Sequence, residues 1–445
     1  MHARRILASL VTALVPLLAI AQTAPPAQPA ESPAAAPAPV AAPTPPAAEP
    51  AKPIEVKVGE VKFSPYGQIV FAGFFNDTKM VSQEYGGYAA GGSGNVIFGA
   101  RQSRFGVRID LPEALGAQLK GVIEGDFYGG FPVTSATAPN NSAWYQPVPR
   151  LRLAWGTAVW KFDSGTFGFG FGQEYGLAAP LFAVSSAYVA NPLFQFAGNL
   201  NRRSPQLRLF GDVNAGGLGV NWAAAVLSPV DQPILNPPSS VSVATGTDNG
   251  TGNQSRMPDV EARVGVGYKA GGKTVAEVGV SAAFGKERMF STTTLDVNKK
   301  IWALDALVNA PFGFSLRGEL FTGQDLDSWR GNFDGAGVVL VPNPADTHNA
   351  SDARAIREQG GWAQAVWAPV PLVQLTFGGG FDNPNDADLA KPTSDKTRNT
   401  MVAGGLILNP SKNWRAGVEW VHVMTKYGHS STIGNQIALS SAFVF

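Results

Sequence analysis

Residues Gly116–Tyr128 read GAQLKGVIEGDFY, and every second side chain in this stretch is apolar or glycine. One set contains Leu119 and Ile123, and the alternating set contains Lys120 and Glu124. Successive side chains of a β-strand point to opposite faces, so the pattern predicts a strand with one apolar and one polar face. One face of this strand suits hydrocarbon and the other suits water.

The same period of two recurs from Val61 to the end of the chain, and no run of 18 apolar residues interrupts it as a spanning helix would require. We count sixteen segments of this kind. The predicted strands are 62–75, 96–110, 115–128, 149–161, 166–174, 205–212, 217–227, 259–270, 274–285, 298–310, 313–322, 358–368, 371–381, 398–409, 412–424 and 434–445.

The connections between these segments alternate in length. Every second one is tight and rich in turn residues, as in Asp163-Ser164-Gly165 and Asn409-Pro410-Ser411, whereas the intervening ones run from about nine to 35 residues. Short turns on one rim, long loops on the other and an even number of strands are typical of outer-membrane barrels. The predicted fold class is therefore all-β: a closed 16-stranded antiparallel transmembrane β-barrel with both termini on the short-turn side.

Aromatic side chains on the apolar face would form the interfacial belts of such a barrel. A strict two-residue period assigns eight of them to that face. They are Trp155, Phe167, Phe169, Phe171, Trp222, Trp302, Trp414 and Trp420.

Composition excludes several classes of protein. The 445 residues carry a formal net charge of +1, with 15% charged residues, 51 Gly and no Cys. Without thiols there is no disulfide framework, thiolate metal site or Cys nucleophile. A net charge near zero argues against a nucleic-acid partner, and no motif indicates a cofactor.

The N-terminal 60 residues differ from the rest. Residues 1–21 form a predicted signal peptide, with Arg4 and Arg5 before an apolar stretch and Ala19-Ile20-Ala21 as the cleavage site. Residues 22–60 form a predicted Ala/Pro-rich disordered tether, because Ala24–Pro53 contains 11 Pro and 12 Ala and has nothing to bury. The barrel domain is predicted to occupy 61–445.

Taken together, these features resemble the Gram-negative general porins, which are sixteen-stranded trimeric diffusion channels of the outer membrane. The resemblance rests on Val122–Phe127, Arg101–Gly106, Phe171-Gly172-Gln173 and a last strand that ends in Ser441–Phe445. In that family the terminal Phe, here Phe445, is the assembly signal. The stretch around Arg202-Arg203-Ser204-Pro205-Gln206 is similar to the dicarboxylate-channel branch.

The resemblance implies a passive, non-enzymatic channel and a set of partners. These are small anionic solutes, outer-membrane lipids and lipopolysaccharide, the barrel-assembly machinery and two further copies in a homotrimer. The tether adds peptidoglycan as a candidate partner.

The resemblance also implies a constriction formed by a third long loop that folds into the lumen opposite a row of arginines. Here that loop is Tyr175–Ser204, which contains many apolar residues but no Asp or Glu. Register places a basic wall in the lumen, and rings of Arg and Lys favour anions. The alternative is that inward acids neutralise each arginine. The predicted constriction residues are Arg104, Arg108, Lys120, Glu124, Asp126, Arg150, Arg152, Glu174, Arg202, Arg203 and Arg208.

Two other function classes stay open: a secreted β-rich surface adhesin and an outer-membrane barrel enzyme. An enzyme would need a His beside an acid or Ser near the long-loop rim, where His422 and His429 flank the last loop without a partner motif. Asp325-Leu326-Asp327 and the acidic stretch 382–388 offer oxygen ligands for Ca²⁺, but neither has EF-hand spacing, which favours solvated loops over metal sites. No catalytic or metal residue is predicted.

Overall fold

The computed structural model describes residues 55–81, 84–129, 147–229, 251–290, 293–329, 337–389 and 395–445. The predicted signal peptide and the Ala/Pro-rich segment Ala24–Pro53 lie outside these residues. A short strand, Val56–Val58, pairs antiparallel with the start of the first barrel strand, with Val56 opposite Phe63. Ordered sheet therefore begins inside the range predicted as tether.

Sixteen antiparallel strands close into a barrel, which confirms the predicted fold class. The barrel strands, numbered in chain order, are β1 Val61–Asn76, β2 Asn95–Gly99 continued by Arg104–Ala114, β3 Ala117–Asp126, β4 Arg150–Phe162, β5 Gly165–Tyr175, β6 Arg203–Ala215, β7 Leu218–Leu227, β8 Asp259–Ala270, β9 Lys273–Phe290, β10 Thr294–Asn309, β11 Phe314–Gln324, β12 Arg357–Val370, β13 Val373–Pro384, β14 Lys396–Ser411, β15 Trp414–Tyr427 and β16 Ser430–Val444.

Closure is made by β1 and β16, whose paired residues run from Gln68 opposite Val444 to Asn76 opposite Gln436. Both segments of β2 pair with the other edge of β1. Each remaining strand pairs with its neighbours in sequence. Every strand therefore has two partners, and its backbone hydrogen bonds are satisfied within the sheet.

Seven tight connections lie on one rim, as predicted, but two connections on the opposite rim are also short. β9 and β10 are separated by residues 291–293, and β15 and β16 by Gly428 and His429. The predicted long loops at these two places are wrong because the strand ladders continue past the expected ends. In the first of these hairpins Arg288 pairs with Asp296 at 2.7 Å.

Among the described residues, the elements outside the barrel are few and small. Two antiparallel pairs, Met80–Val81 with Tyr88–Ala89 and Val338–Asn343 with Asp346–Ala355, lie in the long-loop connections. The helical segments are Thr251–Gln254, Pro311–Gly313, Asp327–Trp329 and Asp386–Asp388. Within the described residues, none of these helices has the length and apolar character needed to cross a bilayer.

The strands alternate as the sequence indicates. On β3, Ile123 is 55% exposed on the outer surface, whereas Glu124 beside it is 5% exposed on the lumen side. The barrel thus presents apolar side chains outward, and its buried core lies inside, between the wall and a loop that fills part of the lumen. Phe74, Ala187, Phe194 and Trp362 belong to that core.

One aromatic residue lies on the opposite face from the prediction. The β3–β4 pairing shifts between Glu124 and Gly125, and this bulge reverses the alternation along β4. Trp155 therefore points into the lumen, where the guanidinium of Arg208 lies 5.2 Å from its ring centroid. The other seven predicted belt residues are on the outer face, and Trp302, Trp414 and Trp420 are among its exposed side chains.

Candidate functional site

The connection between β5 and β6 folds into the barrel. We call residues 176–202 the inner loop. Most of its apolar side chains are buried within the lumen, and Phe194, Ala187 and Leu200 are all 0% exposed. The apolar side chains of the inner loop favour its burial inside the barrel. Its buried backbone N–H and C=O groups still need hydrogen-bond partners. The wall of the barrel supplies them.

Three glutamates on the wall accept hydrogen bonds from the backbone of the inner loop. They are Glu261 on β8, Glu319 on β11 and Glu419 on β15, and each is buried. Glu419 accepts from the N–H of Ala187 at 2.8 Å and of Ser186 at 3.0 Å. The remaining donors are Leu177 and Ala178 to Glu261 and Leu181 to Glu319. An acid-free loop is therefore attached to the wall through wall carboxylates.

Wall amides continue this attachment. Gln364 on β12 accepts from the N–H of Val184 at 2.7 Å and donates to the carbonyl of the same residue at 2.8 Å. Gln102 accepts from the N–H of Val189 at 2.9 Å and of Ala190 at 3.2 Å. The loop is thereby held along much of the barrel's inner circumference.

A basic cluster meets the tip of the inner loop. Arg104 on β2 and Arg150 and Arg152 on β4 surround the buried carboxylates of Glu124 and Asp126 on β3. Arg152 lies 2.7 Å from Glu124 and 2.9 Å from Asp126, and Arg150 lies 2.7 Å from Asp126. Three guanidinium groups thus face two carboxylates, which leaves one positive charge in excess.

The same arginines bind the loop through its carbonyl groups. Arg152 donates to the carbonyl of Ala190 at 2.8 Å, Arg150 donates to it at 3.3 Å, and Arg104 donates to the carbonyl of Val189. The acids beside these arginines come from β3 and not from the loop. For Arg150 and Arg152 the structure therefore matches the alternative in which inward acids neutralise the arginines, because cross-strand acids lie within ion-pair distance.

The remaining predicted residues lie at the two ends of the inner loop and have different roles. The Arg202 side chain is 1% exposed and lies 2.6 Å from Asp259, so it is a buried structural ion pair and not a lumen cation. Arg203 lies over the Tyr175 ring at 5.4 Å, and Glu174 accepts from the N–H of Tyr175 at 2.7 Å. Tyr175 in turn connects these two residues to the β2–β4 cluster, because its hydroxyl accepts a hydrogen bond from Arg152 at 2.8 Å.

Further cations line the lumen on the short-turn side of the inner loop. Arg108 on β2 lies 4.1 Å from the ring centroid of Tyr66, and Lys120 is exposed on the lumen face of β3. Arg208 on β6 donates to the side-chain oxygen of Gln206 at 2.8 Å. None of these three has a carboxylate within ion-pair distance among the described residues.

Two more arginines belong with them. Register places Arg317 on β11 opposite the buried Gln364, and Arg415 on β15 opposite the buried Ala442, so both face the lumen. The inward acids of strands β8–β15 are Glu261, Glu277, Asp305, Glu319 and Glu419, so the sequence alone indicates that the charges of these strands balance. In the structure Glu319 and Glu419 are occupied by the inner loop, and no ion pair forms at either arginine within the part of the chain that is described. The sequence shows that the side chains of Arg317 and Arg415 point into the lumen. It does not show that Glu319 and Glu419 are already hydrogen-bonded to the inner loop.

The chain terminus closes the barrel. The backbone N–H of Gly67 donates to the Phe445 carbonyl at 3.0 Å, and the Phe445 N–H donates to the Gly67 carbonyl at 3.1 Å. The Phe445 ring covers Gly67 so closely that a Cβ there would lie 2.9 Å from the ring. Phe445 also approaches Phe105, with ring centroids 6.3 Å apart. The Phe445 ring thus covers the seam where β16, β1 and β2 meet.

The histidines do not form a catalytic arrangement among the described side chains. His422 shares the outer face with Trp420, and its Nδ1 lies 3.0 Å from the Asn435 side-chain oxygen. His429 is in a tight turn. The side chain of His348 lies outside the described ones.

The first acidic stretch is not a solvated loop, which corrects that expectation. Asp325 and Asp327 are buried and lie with Glu287, with one oxygen of each within 4.8 Å of the others. The buried Lys299 lies nearby, 3.2 Å from Ser328. In the second stretch Asp382 is buried, whereas Asp388 pairs with Arg357 at 2.7 Å. Three buried carboxylates are a donor set that could hold a hard cation such as Ca²⁺.

Comparison with known proteins addresses the fold. Neither a protein-family model nor a curated protein sequence matches the chain. Among solved structures, it is similar to the outer-membrane channel DcaP of Acinetobacter baumannii, with 15% identity, 87% of this chain and 99% of that chain covered, and a TM-score of 0.64. The chain has a porin fold.

Two further structures share this porin fold. An anion-selective porin from Comamonas acidovorans is 10% identical, with 87% of this chain and 100% of that chain covered and a TM-score of 0.51. OprB of Pseudomonas putida is 11% identical, with 86% and 94% covered and a TM-score of 0.50. At these identities the likeness is one of fold, and the chemistry must be argued from the lumen of this chain.

Proposed function

We propose that this chain is a bacterial outer-membrane porin, a passive diffusion channel for small hydrophilic solutes that prefers anions such as carboxylates or phosphate. The porin fold supports the channel. The observation that carries the anion preference is the division of the lumen charges: Glu124, Asp126, Glu261, Glu319 and Glu419 bind groups of the protein itself, whereas several lumen arginines have no ion-pair partner among the described residues.

The charge argument has two parts. At the level of the inner loop, Glu261, Glu319 and Glu419 accept backbone hydrogen bonds, while Arg104, Arg150 and Arg152 outnumber Glu124 and Asp126. On the short-turn side of the loop, four lumen arginines have no ion-pair partner among the described residues. These are Arg108, Arg208, Arg317 and Arg415.

An anion that enters this lumen supplies the missing partner. A charge between low-dielectric walls interacts more strongly than in bulk water, where two charges 4 Å apart gain only about 1 kcal/mol. The guanidinium fork suits carboxylate and phosphate oxygens. The lumen therefore favours anions without needing a tight binding site, which suits passage.

Export and assembly complete the proposal. The signal peptide of residues 1–21 would export the chain, and the barrel-assembly machinery would insert it as a homotrimer among outer-membrane lipids and lipopolysaccharide. The apolar outer face supports a lipid setting, because Phe377 and Phe443 are exposed on it. The tether would reach peptidoglycan.

Planar-bilayer recording with the full-length chain tests the channel and its selectivity together. We expect the reversal potential in a KCl gradient to favour Cl⁻ in the wild type. The quadruple variant R108S/R208S/R317S/R415S should move it toward K⁺, and R354S, which removes an arginine 67% exposed on the outer hairpin, should not. Absence of ion current would overturn the porin function, and a wild type that already prefers K⁺ would overturn the anion preference.

Salt gives an independent check on the same mechanism. Screening shortens to about 3 Å at 1 M ionic strength, from about 10 Å at 0.1 M. The Cl⁻ preference should therefore weaken steadily as the mean salt concentration rises at a fixed gradient ratio. A preference that does not change with salt would point to pore size and not to the arginines.

A further inference from the structure

The first half of the inner loop and strands β2–β5 enclose an opening in the lumen. Residues 181–190 begin at a ring contact, because the Phe182 ring centroid lies 5.0 Å from that of Tyr175 on β5. They end at β2, where Arg104 donates to the carbonyl of Val189. Between these contacts β12 and β15 hold the segment, and β12 lies on the opposite side of the barrel from β4. The segment therefore passes around the opening and not across it.

The side chains of residues 181–190 are sorted by polarity. The two serines, Ser185 and Ser186, are buried, and both hydroxyls donate to Glu419 on the wall. The side chains that remain partly exposed are all apolar. They are Leu181, Phe182, Val184 and Val189. Because the inner loop lies inside the barrel, these side chains face the lumen, and this side of the opening offers a solute hydrocarbon in place of hydrogen-bonding side chains.

The opposite side of the opening is cationic. Of the three guanidinium side chains in the β2–β4 cluster, that of Arg104 is the most exposed, at 22%. Its Nε lies 3.6 Å from Glu124, whereas Arg152 approaches the same carboxylate to 2.7 Å. Arg152 also donates to the Tyr175 hydroxyl at 2.8 Å. Arg104 is therefore the guanidinium of the cluster that a solute can reach, and it lies beside Val189.

A solute in this opening meets a guanidinium on one side and hydrocarbon on the other. A hydroxyl or a second carboxylate that turns toward the apolar side loses hydrogen bonds to water and gains none, which costs free energy. An apolar body gains free energy there by leaving water. The two sides of the opening thus favour different parts of one molecule.

We propose that this opening selects amphipathic monocarboxylates, in which one carboxylate is joined to an apolar ring, over anions that are polar throughout. Arg104 would bind the carboxylate, and Phe182 and Val189 would contact the ring. Tyr175, held by Arg152, positions the Phe182 side chain for this contact. The proposal rests on the proposed function and names the class of carboxylate that the channel prefers.

Bi-ionic recording of the full-length chain in planar bilayers provides the test. The probes are the sodium salts of benzoate and shikimate, two ring monocarboxylates of similar size, of which only shikimate carries hydroxyl groups on its ring. We expect benzoate to be the more permeant anion in the wild type. F182S should lower the benzoate-to-shikimate permeability ratio about two- to tenfold, the range that one aromatic contact provides.

Two further variants keep the test specific. V184T/V189T adds hydroxyl groups to the apolar side with little change in side-chain shape, so it serves even if F182S does not fold, and it should also lower the ratio. F312S, which removes an aromatic residue 91% exposed in a short-turn hairpin, should leave the ratio unchanged. Heat-modifiable migration on gels shows that each variant retains the barrel. Equal permeability of the two probes in the wild type, or an unchanged ratio in V184T/V189T, would overturn the proposal.

The preference for Cl⁻ over K⁺ separates this proposal from the proposed function. F182S should keep the wild-type preference for Cl⁻, because the substitution changes no charge. A wild type that prefers Cl⁻ but passes benzoate and shikimate equally would overturn the solute class and leave the anion channel standing. A wild type that prefers K⁺ would overturn both.

Discussion

The carboxylate of Glu419 accepts the backbone N–H of Ala187 at 2.8 Å, across 232 residues of sequence. The same oxygen accepts from Ser185 and Ser186. One buried glutamate on β15 thus holds four donor groups of the inner loop. The position of the loop, and with it the size of the remaining opening, depends on wall residues far from the loop in sequence.

Replacing Glu419 by Ala should loosen the inner loop. Each hydrogen bond to a charged group contributes about 1.5–3 kcal/mol, and the variant loses several at one place. We expect greater open-channel current noise and faster proteolysis within 176–202. E277A is the matched control, because Glu277 is a lumen carboxylate that pairs with Arg263 and does not contact the loop. Unchanged noise in E419A would show that the other anchors suffice.

We expect Arg152 to stabilise the fold and Arg108 to contribute to ion selectivity. Arg152→Ala removes the closest ion-pair partner of the buried Glu124 and one of the two arginine partners of Asp126, and breaking a buried ion pair in this way costs about 3–5 kcal/mol. We expect R152A to unfold at clearly lower temperature by circular dichroism. R108S should keep its stability and shift ion selectivity. Equal melting temperatures for R152A and wild type would contradict the role assigned to the cluster.

Deleting Phe445 should impair membrane assembly much more than synthesis. The deletion removes the hydrogen bonds to Gly67 and the ring that covers the seam between the first and last strands. The readout is the heat-modifiable barrel in membrane fractions compared with total chain. F312A is a suitable control, because Phe312 is an exposed aromatic residue in a tight turn away from the seam. Normal barrel levels without Phe445 would refute the assembly role.

Removing most of Ala24–Pro53 should leave single-channel conductance unchanged. A Pro- and Ala-rich segment has no apolar face to pack in the lumen, so we do not expect it to contribute to the constriction. Conductance of the truncated and full-length chains, recorded under the same conditions, provides the measurement. A larger current in the truncated chain would show that the tether enters the pore.

The sequence by itself determined the barrel. Period-two alternation places Ile123 outward and Glu124 inward whatever the tertiary arrangement, because it follows from the geometry of one strand. Turn residues fix the short rim in the same local way, and the resemblance to the general porins assigns the closing strand to the one that ends in Phe445. Strand number, antiparallel order and the inward direction of Arg104 or Arg208 were therefore predictable.

Only the tertiary structure decided which charged side chains of the lumen are paired within the protein. The bulge on β4 turns Trp155 inward, and no local pattern locates such an insertion. Arg202 forms an ion pair with Asp259, and Glu319 and Glu419 accept hydrogen bonds from backbone N–H groups of the inner loop. These pairings join residues on strands that are remote in sequence, and they depend on where a buried backbone must satisfy its polar groups. A list of inward charges cannot show which of them remain for a solute, because that depends on the path of the loop.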